Sequence, residues 1–155
     1  MTPEQPLSGV IEGDEHRLMV RVYYEDTDFT GVVYHANYLK FFERGRSDFL
    51  RVLGVHHHEL RGHEDRIAFA VAHIDIRYFS PARIDDVITV RTRINRIRGA
   101  QFVLEQVCER DGVKLCEGRI NVVCIDGSGR PRRLPKDLAE KLQAPESQEK
   151  PVGSE

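Results

Sequence analysis

Apolar positions along this chain change period twice, and the changes outline its elements. From Leu18 to Tyr24 hydrophobic and polar residues alternate loosely and Val and Tyr are frequent, the pattern of a strand. The segment EDTDFTG that follows, residues 25–31, is built from turn formers. The period then lengthens. Leu39, Phe42, Phe49 and Leu53 recur at three, seven and four residues, which predicts a helix from about Asn37 to Leu53. Asn37 reads as its N-cap and Gly54 as the residue just past its end. Gly45 falls inside the helix, where glycine costs about 1 kcal/mol relative to alanine. A strand passing closely over the helix would offset that cost.

After a polar segment, HHHELRGHEDR, the period shortens again and stays short. Ile67–Phe79, Val87–Ile97, Phe102–Glu109 and Val113–Ile125 all read as strands. In the first of them Ile74, Ile76 and Tyr78 face one way, and His73, Asp75 and Arg77 the other. SPARIDD, Arg98-Gly99 and Asp111-Gly112 separate the four, the last a strong two-residue hairpin signal. Such short connections predict an antiparallel meander. A helix of about 16 residues is roughly 24 Å long, the span of a strand of about seven residues. The economical arrangement is α+β: a curved antiparallel sheet wrapped around one central long helix. Its edge strands stay open, so oligomerisation is expected.

Composition narrows the class. The 155 residues suit one domain, with a flexible arm over 1–16, the folded unit over 17–142 and a polar tail over 143–155. A formal net charge of -2 provides no electrostatic footprint for nucleic acid. No apolar run reaches the roughly 18 residues of a membrane span, and the first residues lack the pattern of a signal peptide. Cys108, Cys116 and Cys124 show no C-x-x-C spacing and read as reduced thiols in strands. The expected location is the cytoplasm.

The chemistry gathers in Tyr23 to Arg46, YYEDTDFTGVVYHANYLKFFERGR. It sets an acidic turn, a glycine, aromatics and a histidine before a helix N-terminus. Unpaired N–H groups there can hold a developing oxyanion. A carboxylate beside them can attack a carbonyl or activate water. A thioester suits this equipment, because its thiol leaves with a pKa of about 8–9 and needs little acid assistance.

The run Y-Y-E-D-T-D-x-x-G-V-V-Y-H-A-N-Y with F-x-E-R-x-R resembles the signature of the acyl-CoA thioesterases associated with the Tol-Pal cell-envelope system. These belong to the hydroxybenzoyl-CoA thioesterase branch of the hot-dog superfamily. Y-F-S-P-A-R-I-D-D at Tyr78–Asp86, N-V-V-C-I-D at Asn121–Asp126 and R-R-L-P at Arg132–Pro135 extend the likeness over nearly the whole chain. The resemblance implies a hot-dog fold and acyl-CoA thioester hydrolysis, with Asp28 as nucleophile or general base and His35 paired with it. It places the backbone N–H of His35 as an oxyanion donor, Tyr24 and Tyr38 along the acyl pocket, and Gly31 in the turn. Arg98 resembles a nucleotide contact. Phe29-Thr30 stands where many relatives carry small residues, which would reshape the acyl pocket. A homodimer or homotetramer with sites between subunits is implied, without a cofactor, and with acyl carrier protein and the inner-membrane surface as further possible partners.

Asp26 and Glu25 suit a structural role in the turn. His56, His57, His58 and His63 invite a metal, but three consecutive histidines on a loop cannot all face one ion, and the helical H-x-x-x-H spacing is missing. Arg44 and Arg46 suit ion pairs with Glu43 or Asp48. A hot-dog enoyl-CoA hydratase would carry G-D-x-N-P-x-H, and no N-P follows Asp28. A scaffold that binds acyl carrier protein without catalysis is the third alternative.

Overall fold

The computed structural model describes residues 7–55 and 66–143. Six antiparallel strands form one sheet in the order β1-β2-β4-β5-β6-β3. They are β1 (Val10–Glu12), β2 (Glu15–Arg21), β3 (Ala68–Tyr78), β4 (Val87–Arg98), β5 (Gln101–Arg110) and β6 (Val113–Ile125). The helix α1 (Asn37–Val52) packs over β4, β2, β5 and β1. The α+β architecture, a curved sheet around one long helix, is the one expected.

Period-2 alternation decides which side chains meet the helix. Register places His16, Thr92, Gln106, Gly118 and Ile76 in one row across five strands, and Val90, Cys108, Cys116 and Tyr78 in another. Both rows face α1. Gly45 lies at their centre: a Cβ there would stand 2.7 Å from Val90 Cγ1 and 3.0 Å from Thr92 Oγ1. The glycine therefore answers the close passage of β4. Gly118 does the same for Phe42, whose ring would lie 2.6 Å from an added Cβ. Gln106 donates to the carbonyl of Phe42 and to Thr92 Oγ1, both at 2.9 Å, so this polar row is paired inside the core.

The outer face carries charge instead. Glu15, Arg93, Glu105, Arg119 and Asp75 alternate in sign along one row. Glu105 bridges Arg93 at 2.9 Å and Arg119 at 3.1 Å. Such half-exposed pairs add little stability each. They keep this face wet and fix its register.

Three expectations change. First, the four late strands are not one meander. β3 crosses to the far side of β6, and residues 79–86 run back across the strand ends to start β4 beside β2. SPARIDD is thus a crossover, long enough for three strand spacings of about 4.8 Å. Second, the arm is shorter than residues 1–16. Val10–Glu12 pairs with β2, and His16 is fully buried, stacked on Phe49. Its Nε2 lies 2.7 Å from Asp48 Oδ2, which also accepts the N–H of Gly9 at 2.7 Å. Burial, only partly opposed by Asp48, lowers the pKa of His16. Third, Ala36 is the N-cap of α1 and Asn37 its first residue, while Leu39 points outward. The buried face runs through Tyr38, Phe41, Phe42, Gly45, Asp48 and Phe49. At the other end Gly54 adopts φ 95°, with Gly54 N–H bonded to Arg51 O and Val55 N–H to Leu50 O, a Schellman end. A short helix over residues 136–143 adds Leu138 and Leu142 to the core. Residues 1–6, 56–65 and 144–155, with the histidine cluster and the tail, lie outside the described residues.

Candidate active site

The loop from Tyr23 to Ala36 sits at the end of the sheet where the crossover passes. Asp26 organises it. Its Oδ2 accepts Tyr23 N–H, its Oδ1 accepts Asn37 Nδ2, and its carbonyl accepts Tyr34 N–H, at 2.8, 2.8 and 2.9 Å. Asp26 is structural, and Asn37 serves it rather than capping the helix. Thr27 pairs with Val33, and Asp28 to Val32 form a tight loop beyond that pair. Asp28 N–H donates to Val32 O, and Gly31, at φ 89°, donates back to Asp28 O. Such a φ favours glycine.

Asp28 is exposed, and one of its oxygens is held. Oδ1 accepts the hydroxyl of Thr30 at 2.6 Å and the Thr30 N–H at 2.8 Å. The Thr30 hydroxyl first, and its amide second, hold the Asp28 carboxyl below the usual carboxylate range. The amides of Val32 and of Asp28 itself also act on this carboxyl, and no side chain other than Thr30 bonds it among the described residues. The carboxylate is thus ionised, oriented and exposed, as a base or nucleophile must be.

The loop's return strand ends in two successive amides. Tyr34 O accepts Asn37 N–H at 2.8 Å, and His35 O accepts the Tyr78 hydroxyl at 2.8 Å. Among the described residues no acceptor takes the N–H of His35 or of Ala36. The His35 ring is exposed and meets Tyr78 edge to face, centroids 6.2 Å apart.

Asp28, Gly31, His35 and Tyr24 therefore share one loop, as expected. Two residues depart from expectation. Tyr38 is 2% exposed and packs on Phe41 and Tyr78, so it stands behind the site and lines no open surface of this chain. Burial first, then the Cys116 thiol, push its phenol up to about 12. Arg98 closes β4 at the opposite end of the sheet, about 35 Å along the strand from Val87 at about 3.3 Å per residue. It does not share a site with Asp28 of the same chain. Arg46 bonds Gln106 at 3.2 Å rather than a carboxylate, and Asp48 takes His16 and Arg51. No group of His, Cys, Asp and Glu able to hold a metal occurs among the described residues.

Thr30 and Tyr78 are the partners that sequence reasoning missed. Thr30 stands two residues after Asp28, the spacing of an Asx-type turn, and that signal was readable. Tyr78 lies 43 positions from His35, and no local signal links them.

A family model of the thioesterase-like superfamily matches residues 22–142, and the chain belongs to that superfamily. Acyl-CoA thioester hydrolase YbgC of Escherichia coli O6:H1 is 42% identical over 126 residues, 79% of this chain and 91% of that protein. A crystal structure of a probable thioesterase from Bartonella henselae matches with a TM-score of 0.76 at 44% identity, covering 78% of this chain and 99% of the other. A 4-hydroxybenzoyl CoA thioesterase variant in complex with 4-hydroxybenzoyl CoA shares the hot-dog fold, with a TM-score of 0.78 at 18% identity over 83% of this chain and 99% of the other.

Proposed function

We infer that the chain hydrolyses acyl-CoA thioesters to the free acid and the thiol, with Asp28 as the reacting carboxylate. The observation that carries the role of Asp28 is its geometry: an exposed carboxylate with one oxygen fixed by Thr30, on a loop that ends in unpaired amides. In the water route Asp28 accepts a proton as the water oxygen bonds to the thioester carbon. In the covalent route Asp28 itself bonds to that carbon, the C–S bond breaks to leave an anhydride, and water then opens the anhydride. Either way the carbonyl oxygen gains charge, which the N–H groups of His35 and Ala36 stabilise. As the C–S bond breaks sulfur keeps the electron pair, the thiolate takes a proton from solvent, and Asp28 returns the proton it accepted to solvent. His35 adds little as an acid, because a thiolate leaves readily. A carrier-protein thioester presents the same reacting atoms, so a comparison of the two substrate classes distinguishes them.

The functional unit is at least a dimer. β3 is an edge strand of 11 residues, none of them buried. Its inner face carries Phe69, Val71, Ile74, Ile76 and Tyr78, and α1, on the same face, packs mainly over β4, β2, β5 and β1. A second copy covers this stripe.

The test is thiol release from a panel of acyl-CoAs. Asp28→Asn keeps the turn and its backbone bonds but loses the negative charge. Turnover is expected to fall by about 10²–10⁴-fold with the melting profile unchanged. Asp26→Asn should lower it far less. A folded Asp28→Asn enzyme turning over near the wild-type rate would overturn the assignment.

A further inference from the structure

The crossover that returns β3 to β4 does more than connect strands. With the end of β3 it staples the loop 23–36 to the sheet at three points. Val33 N–H donates to Ala82 O at 2.8 Å, Val32 bridges Arg83, and the Tyr78 hydroxyl donates to His35 O at 2.8 Å. The first two are backbone contacts that any side chain permits. The third depends on a single oxygen atom.

That atom holds a peptide plane. In a trans peptide the carbonyl and the following N–H point in opposite directions. Fixing the carbonyl of His35 therefore fixes the N–H of Ala36. Fixing the carbonyl of Tyr34, through Asn37 N–H, fixes the N–H of His35 in the same way. One of these two planes is set by the helix itself and the other by Tyr78.

Tyr78 is well placed to act as a fixed post. It ends β3 opposite Cys116 of β6, and the amides of Phe79 and Ser80 both reach Leu115 O, at 2.8 and 3.2 Å. Its ring is wedged edge-on between those of His35 and Tyr38, with centroids 6.2 and 5.8 Å away. Partial burial raises the pKa of its phenol, so the hydroxyl remains a donor.

We propose that Tyr78 is a positioning residue for catalysis: its hydroxyl, bound to His35 O, aims the Ala36 N–H so that it joins the His35 N–H in holding the oxyanion. This rests on the hydrolase function and on the role of Asp28 proposed above. It assigns a purpose to the tyrosine of the Y-F-S-P-A-R segment.

The experiment compares Tyr78→Phe, Asp28→Asn and wild type in steady-state thiol release from one acyl-CoA across pH. Loss of an oxyanion donor costs about 10²–10³-fold, so loosening one of two should lower kcat by about 5- to 30-fold. KM should stay within about twofold, because the ground-state carbonyl leans little on these amides. The ring remains in Tyr78→Phe, so the melting temperature should stay within a few degrees. The fall in kcat should be the same at every pH, with both limbs of the profile unmoved. Wild-type kcat in Tyr78→Phe, with Asp28→Asn inactive, would overturn the positioning role and leave the hydrolase assignment standing. Loss of the alkaline limb would also overturn it, because Tyr78 would then be donating a proton in the reaction. An active Asp28→Asn enzyme would remove the mechanism on which the inference rests.

Discussion

At the scale of single residues, the two aspartates of the D-T-D run show how environment separates like groups. Asp26 spends both carboxylate oxygens and its carbonyl on the loop. Asp28 has one oxygen bonded to the Thr30 side chain and amide, and the residue is exposed. Thr30 therefore tunes Asp28 as well as orienting it, and the consequence has a definite sign. A carboxyl held below its usual range stays ionised further into acid, so the acidic limb of kcat/KM should lie below that of an ordinary aspartate. Thr30→Val removes the hydroxyl, the largest cause of that depression, and keeps the side-chain shape. The limb should move to higher pH in the variant, measured by thiol release in buffers of constant ionic strength. A limb that stays in place would show that the hydroxyl does not act on the ionisation. Phe29, 104% exposed at the tip of the loop, touches nothing in this chain that would reshape the acyl pocket.

At the scale of elements, α1 is set on the sheet by absence as much as by contact. Gly45 lets β4 and β5 pass close, with Gln106 Nε2 3.1 Å from where a Cβ would stand. Gly45→Ala brings two opposed effects. Helix propensity improves by about 1 kcal/mol. Overpacking against Val90, a β-branched residue with little freedom, costs about 1–3 kcal/mol. The overpacking should win, so the variant should melt several degrees below wild type by scanning calorimetry. An unchanged or higher melting temperature would mean that β4 gives way more easily than its packing suggests. Because α1 carries the site at its first turn, a shifted helix should also lower turnover.

At the scale of the whole molecule, the uneven cover of the sheet matters most. One helix shields the β1-β2-β4-β5 side, while the inner face of β3 is left with Val71 45% exposed and Tyr78 44% exposed. If a second copy covers this stripe, Val71→Asp places a charge in a desolvated contact, a cost of several kcal/mol. Sedimentation should then show a monomer where wild type is a dimer or larger, with thiol release lost in parallel. A Val71→Asp protein that keeps both size and activity would contradict a functional unit built on β3.

Much of this was open to reading from the chain alone. Strand alternation, the helix and the turn signals depend on neighbours within a few positions, so period and composition reveal them. The same holds for the motif from Tyr23 to Arg46, whose loop, Gly31 bend and Asp26 hub close within about 15 residues. What lies between distant residues was not legible. The order that puts β3 beside β6, the close approach at Gly45 to Val90, the burial of Tyr38 and the removal of Arg98 from Asp28 are all set by how the sheet folds over the helix. So is the bond from Tyr78 to His35, 43 positions apart. Local periodicity says which face of an element is apolar; only packing decides which other element that face will meet.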